Sequence, residues 1–311
     1  MYSVIIPAKN EAKNIKRCIR SVFNCIQDFS LVEIVVVDNG SEDETVDIAR
    51  REGAKVFSRP DATVASLRNY GVSKANYDLI AFIDADCEAT NGWLENARKI
   101  LQDQSIGVVG DYYLLPGNPS WVEEAFHNST PRKRREVPYL SGGNIIMRKE
   151  VFTDVGGFDE AAITGEDYIL CQKVRSAGYK IVADPSVGVI HHGNPKTLLG
   201  VFRREVWCGL GMVDLLRYGK FTLPLAWSIA NLVLTLAIII NVALKWYALA
   251  VCLFMIFLLM PCGASLHRCY RHSTYNDFFK LCAYFMSYGL GRTVSLIRIF
   301  QIRLRAKHFI S

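Results

Sequence analysis

Apolar and polar residues alternate in blocks along the first two thirds of the chain. Tyr2–Ile6 is an apolar run closed by Lys9-Asn10-Glu11, and a run of this length reads as a strand buried on both faces. Ile15, Cys18, Ile19 and Val22 follow at i, i+3, i+4, i+7, the spacing of one helix face. Glu33–Val37, Lys55–Phe57 and Leu79–Ile83 read as three further strands. Between them the pattern predicts a helix running to Arg51, opened by a Ser41/Glu44 capping box and closed at Gly53, and another over Thr63–Ala75. Strand–helix units of about 30 residues imply right-handed crossovers. The predicted class is α/β, a mostly parallel sheet flanked by helices.

The pattern changes after residue 220. Phe221–Leu244 carries no charge, Lys245 interrupts, and Trp246–Leu266 is again uncharged. Each run matches the ~20 residues that cross a bilayer. Arg203, Arg204, Arg217 and Lys220 precede the pair and Arg268 and Arg271 follow it, which predicts a hairpin with both ends cytosolic. Trp227, Trp246 and Tyr247 are expected as interfacial anchors, and Asn231 and Asn241 as polar contacts to the partner helix. Phe278–Ile299 is apolar but holds Lys280, Arg292 and Arg298. It is expected to lie in the interface with its basic side toward anionic headgroups, a third span being the alternative. The predicted organisation is a catalytic domain at 1–220, two transmembrane helices at 221–266, and a basic amphipathic helix and tail at 267–311.

Charge sharpens this division. The 311-residue chain has a net charge of +6. Residues 1–220 hold 27 Lys and Arg against 29 Asp and Glu, whereas residues 221–311 hold 9 against one acid, Asp277. A basic excess confined to the apolar tail points to membrane lipids and not to nucleic acid. Nine cysteines without a C-x-x-C pair read as reduced core thiols. The first residues lack a basic, long apolar leader, so the catalytic part is expected on the cytosolic side.

Candidate chemistry gathers where the strands end, the ligand-binding edge of an open α/β sheet. Asp84-Ala85-Asp86 follows the Leu79–Ile83 run, and two such carboxylates can approach one hard cation. The same spacing also occurs in plain acidic turns. Asp38, after the second strand, can meet a base or ribose edge, or simply start a turn. No G-x-G-x-x-G follows the first strand, which argues against a dinucleotide-dependent dehydrogenase. Glu166-Asp167 opens a helix; these acids can complement its dipole or one can serve as a general base. Arg68 is read either as a surface arginine or as a donor fork for phosphate. Arg132-Lys133-Arg134-Arg135 is either a solvated loop or a patch for an anionic lipid or diphosphate-linked acceptor.

Seven blocks together carry a resemblance. Val4–Glu11, Val35–Asp43, Leu67-Arg68-Asn69-Tyr70-Gly71, Phe82–Asp86, Ser141–Asn144, Val155–Asp159 and Gly165–Tyr168 resemble the ordered blocks of family 2 glycosyltransferases with the GT-A fold, over roughly residues 1–195. The resemblance implies a UDP- or GDP-linked sugar donor and Mg²⁺ or Mn²⁺. By position, Asp38 resembles the base contact, Asp84 the ribose contact and Asp86 the metal ligand, with His191 able to approach the metal or diphosphate. Pro7, Ala8, Glu11 and Arg68 are expected at the donor, and Gly142, Gly143 and Asn144 at the acceptor. Asp167 is expected as the catalytic base, with Glu166 beside it orienting acceptor or backbone. The implied activity is inverting transfer to a hydroxyl of a lipid-linked or cell-surface glycan precursor. The rivals are transfer to a polyprenyl phosphate and a catalytically silent membrane scaffold with the same fold. Arg203-Arg204 ahead of Trp207 only loosely resembles the Q-x-x-R-W block of processive synthases, since its glutamine is missing.

Overall fold

The computed structural model describes all residues except 27, 128–132, 214–215, 217–220, 273–276 and 309–311, and the side chains of 29, 126, 271–272, 300 and 302–308. In chain order the elements are β1 (Tyr2–Ala8), α1 (Ile15–Asn24), β2 (Val32–Asp38), α2 (Thr45–Arg51), β3 (Lys55–Ser58), α3 (Val64–Ser73), β4 (Leu79–Ile83), β5 (Cys87–Ala89), α4 (Trp93–Ile100), β6 (Ile106–Gly110), α5 (Trp121–Phe126), β7 (Arg135–Glu136) and β8 (Asn144–Arg148). They continue with α6 (Lys149–Asp154), α7 (Glu166–Ser176), β9 (Lys180–Ala183), β10 (Val189–His191), α8 (Leu198–Cys208), α9 (Leu223–Ala243), α10 (Tyr247–His272) and α11 (Phe278–His308). The chain divides into two compact units: residues 1–117 with 131–193, and residues 118–130 with 194–311.

The first unit is built on an eight-stranded sheet of order β3-β2-β1-β4-β8-β6-β9-β7. Successive residues of a strand point to opposite faces, and the core splits accordingly. Val4, Ile6, Ile34, Val36, Ala81 and Ile83 pack on the α1 and α4 side. Ile5, Ile80, Phe82, Val108, Ile145 and Met147 pack on the side of α3, α6 and α7. Both faces of β1 and β2 are buried, as the apolar runs require. Strands β3, β2, β1 and β4 are parallel. Strand β8 runs antiparallel to β4, pairing Asn144 with Ile83. That reversal positions the site, because the start of β8 lies at the edge where β4 ends. A separate antiparallel ribbon pairs β5 with β10, Cys87 opposite His191.

The Ser41/Glu44 capping box does not form. Glu44 is the N-cap residue without a side-chain cap. The Ser41 hydroxyl instead accepts from the Asn10 N–H at 2.9 Å, and Asp43 accepts from the Thr45 N–H at 3.0 Å. An aspartate two residues ahead reaches a turn N–H more easily than a serine four ahead. Gly53, left-handed at φ +90°, closes α2 as its pattern suggests.

The second unit is helical. Helices α9 and α10 are long and apolar enough to cross a membrane, by length and composition. They are joined by a left-handed residue, Lys245 at φ +61°. There the Trp246 N–H donates to the Asn241 carbonyl and the Lys245 N–H to the Val242 carbonyl, the pattern that closes a helix with a left-handed cap. Val233, Leu236, Ile239, Val251 and Leu259 point outward. Asn241 does not pair with the neighbouring helix; its amide donates to the Ala237 carbonyl of its own helix at 2.8 Å. Trp246 and Tyr247 are exposed, whereas Trp227 stacks on Phe285 of α11, centroids 6.2 Å apart.

In α11, expected to turn its basic side toward headgroups, Arg292 faces inward. Arg292 donates from Nε to Glu205 Oε2 of α8 at 2.6 Å, and Glu205 is 1% exposed. Its glycines explain the close packing. A Cβ on Gly291 would stand 2.6 Å from the Phe202 carbonyl oxygen, and one on Gly289 would meet the Trp227 indole at 2.6 Å. A buried glutamate needs a cation, so Arg292 turns inward. Pro131 and Arg132 of the basic loop, Arg217 and Lys220, and the side chains of Arg271, Arg303, Arg305 and Lys307 lie outside the described residues.

Candidate active site

The end of β2 presents Asp38, 3% exposed. Its Oδ2 accepts the Gly40 and Ser41 N–H groups, both at 3.0 Å. Its buried Oδ1 has no hydrogen-bond partner. A buried carboxylate oxygen left open is costly, and a donor N–H or O–H from a ligand would satisfy it. Pro7 and Ala8 are strand residues buried in β1, so only their backbone edge is available to a ligand. Glu11 opens the following turn and takes the Asn14 amide at 2.7 Å. Burial raises its carboxyl, Asn14 pulls it back, and the charge of Asp86 adds to the rise.

Beyond β4, Asp84 and Asp86 have different surroundings. Asp84 Oδ1 takes the Arg68 guanidinium at 2.7 Å, and Oδ2 lies 3.4 Å from the Tyr113 hydroxyl. Asp86 Oδ2 stands 3.5 Å from His191 Nε2. Burial lifts the Asp86 carboxyl above its ordinary range, His191 opposes that, and Asp84 reinforces it. A Cβ on Gly193 would land on the Asp86 carboxylate, so glycine there keeps the space before Asp86 open. Asp86, His191 and Cys87 offer ligand atoms within 4.8 Å of one another. The β5–β10 pairing brings His191 to Asp86 and Cys87 across about a hundred residues of sequence, so no local spacing joins it to them. Burial keeps the Cys87 thiol protonated. A carboxylate with an imidazole suits a hard divalent cation, and these residues fit one. His192 is turned away, 2.9 Å from Glu88.

Arg68 does not face an open phosphate site. It is 3% exposed, with Nη2 on Asp84 and Nη1 on Glu166 at 2.6 Å. Burial alone would weaken its charge, but Asp84 and Glu166 outweigh that and hold it protonated. Glu166 is likewise drawn toward Arg68. Asp167, beside it at the start of α7, takes the Gly142 N–H at 3.0 Å and the Tyr168 N–H at 2.7 Å. Burial pushes its carboxyl up to about 6, Glu166 adding to the rise and Arg68 opposing it. Gly165 allows the entry to α7 at φ +82°.

The residues expected at the acceptor are placed otherwise. Asn144 is fully buried; its amide donates to the Asp111 and Val187 carbonyls and accepts from the Trp93 indole, all at 2.9 Å. A side chain so completely satisfied ties strands together and does not contact a ligand. A Cβ on Gly142 would meet the Arg68 guanidinium at 2.6 Å, and one on Gly143 would collide with Asp84. These glycines leave room for the ion pair. Tyr113, which sequence reasoning missed, accepts the Gly143 N–H at 3.2 Å and stacks on His191, centroids 4.6 Å apart at 20°. It carries no motif; only the fold brings it there.

A family model described as Glycosyl transferase family 2 matches residues 3–156. Over 241 residues the chain is 27% identical to the glycosyltransferase AglE of Haloferax volcanii, covering 73% of this chain and 78% of that protein. It is 29% identical over 241 residues to the pre-mycofactocin glycosyltransferase of Mycobacterium tuberculosis, again covering 73% of this chain but only 50% of that protein. Among solved structures, a mannosyltransferase from Pyrobaculum calidifontis in complex with GDP-Man and Mn²⁺ superposes with a TM-score of 0.63 at 19% identity, covering 96% of this chain and 86% of that one. That likeness shows the fold, GT-A.

Proposed function

We infer, from a chain that carries a glycosyl transferase family 2 domain and is thereby a glycosyltransferase, that the reaction is inverting transfer from a UDP- or GDP-linked sugar to a hydroxyl. The acceptor is a lipid-linked or cell-surface glycan precursor, met at the cytosolic membrane face. Helices α9 and α10 support the membrane part of this reading as a spanning hairpin that anchors the catalytic domain.

The observation that carries it is the linkage of Asp167 to the donor-side acids. One arginine, Arg68, joins Asp84 next to Asp86 with Glu166 next to Asp167. On the donor side, the open Oδ1 of Asp38 receives a hydrogen bond from the nucleoside. Asp86 and His191 would hold Mn²⁺ or Mg²⁺, which would supply positive charge to a departing diphosphate. On the other side Asp167 accepts the proton of the acceptor hydroxyl as that oxygen attacks the anomeric carbon. A carboxyl at about 6 is a stronger base than an ordinary aspartate and is still ionised at neutral pH. Asp84 and Glu166, committed to Arg68, hold the two halves in register.

The test is turnover of a panel of UDP- and GDP-sugars by the full chain with Mn²⁺, beside D167N. Loss of at least about a hundredfold is expected; full activity of D167N would remove Asp167 as the base. Release of the transferred sugar from lipid product by mild acid would point to a phosphate acceptor instead.

A further inference from the structure

Two tyrosines flank the carboxylate assigned as base. Tyr139 lies three residues before Gly142, and Tyr168 directly follows Asp167. These are the two segments whose N–H groups hold Asp167, at 3.0 and 2.7 Å. Their rings meet edge to face, centroids 5.7 Å apart and planes at 62°. Tyr139 is 39% exposed, so part of its ring is open to solvent beside the half-buried Asp167. Burial and then the charge of Asp167 keep its phenol neutral.

The chemistry of this corner selects among acceptors. An aromatic ring offers a flat apolar face with a polar tip, and ligand sites pair such walls with a few orienting polar groups. A pyranose ring has the complementary form, with C–H groups on one face and hydroxyls around the rim. At Asp167 itself the charge is unfavourable to an anion, although Arg135 lies farther out, 5.4 Å over the Tyr112 ring. Asp167 and Glu166 are both acids, and the guanidinium beside them spends its terminal nitrogens on Asp84 and Glu166. A phosphate arriving at Asp167 would meet like charge, whereas a neutral hydroxyl would not.

We propose that Tyr139 and Tyr168 form the acceptor subsite and that it takes a neutral pyranose ring. This rests on the reading of Asp167 as base. The ring lies against Tyr139 with one hydroxyl turned to Asp167. That oxygen forms the new bond to the anomeric carbon and its proton passes to Asp167. The bond from the anomeric carbon to the diphosphate breaks, and the nucleoside diphosphate leaves with the electron pair.

The test uses the full chain in detergent with Mn²⁺, a donor that it turns over, and a panel of methyl hexopyranosides as acceptor probes. Saturation-transfer NMR, irradiating protein aromatic protons, should show transfer to at least one glycoside. Transfer should persist in Y139F and be much weaker in Y139A. With that glycoside, Y139A should raise the acceptor KM on the order of tenfold with the donor KM unchanged, and thermal unfolding should confirm that the variant is folded. Donor turnover with no transfer to any glycoside, or Y139A with wild-type acceptor KM, overturns the subsite alone. Wild-type turnover of a polyprenyl phosphate by Y139A does the same. Failure of every donor to bind or react overturns the glycosyl-transfer reading beneath it.

Discussion

Arg68 and Glu166, 98 residues apart in sequence, meet at 2.6 Å in a buried ion pair. The other arm of the same guanidinium takes Asp84 at 2.7 Å. Removing one partner of such a cluster leaves buried charge uncompensated, at a cost of about 3–5 kcal/mol. R68M is therefore expected to lower stability by that amount, read from denaturant unfolding. R68K should fall between, because one ammonium on a flexible stem cannot serve two carboxylates as a planar fork does. Wild-type unfolding of R68M would deny the cluster its role in holding the site together.

The extent to which this site was legible follows from the range of each signal. Strands β1 to β4 and helices α1 and α3 were readable because burial on both faces and helical spacing are local patterns. The acids at strand ends were readable for the same reason, since a parallel sheet sends its carboxyl ends to one edge. The partner of Arg68 was not, because nothing within ten residues records it. Asn144 was misread as a ligand contact because a polar residue beside glycines has the same appearance whether it meets substrate or a neighbouring strand. Strand β8 decides between these, and its antiparallel pairing with β4 is a tertiary fact. Tyr113 belongs to the same category: it reaches Asp84 through loop geometry.

Asp167 sets a pH dependence of defined sign. Its carboxyl stands at about 6, and a base must be ionised. The rate kcat/KM is expected to fall on the acid side with a midpoint of about 6, not near 4. Stability runs the opposite way. The folded carboxyl is raised, so the contribution is fully present below the unfolded value near 4 and is lost as pH rises through about 6. D167N should slow the reaction at least about a hundredfold and raise unfolding stability at pH 8, on the order of 1–3 kcal/mol. Thermal unfolding of both proteins across pH 4–8 checks this; a D167N protein less stable at pH 8 would contradict it.

Tyr113 and His191 stack at 4.6 Å, and the Tyr113 hydroxyl links the Gly143 N–H to Asp84. Y113F keeps the stack and loses the hydroxyl, so it should cost about 0.5–1.5 kcal/mol of stability. Y113L also removes the ring stacked on His191. Mn²⁺ titration followed by electron paramagnetic resonance, without substrate, should show weaker binding in Y113L than in Y113F. Equal Mn²⁺ affinity in both variants and the wild type would separate the tyrosine from the metal ligands.

Glu205 and Arg292 tie α8 to α11 through a 2.6 Å ion pair, and the Arg292 guanidinium also lies 5.4 Å over the Tyr288 ring. Gly291 lets the helices approach closely, and the Glu205 end of the pair is buried. A buried pair adds little over an apolar substitute, yet halving it is costly. E205A alone should destabilise the detergent-solubilised protein by about 3–5 kcal/mol, whereas E205L/R292M should lose much less than the sum of its single changes. The paired variant would then hold the bundle by packing alone. Additive losses in thermal unfolding would mean that the two charges act separately. In that case α11 would be held to α8 by its glycine and apolar contacts, with Arg292 contributing no more than any other half-buried cation.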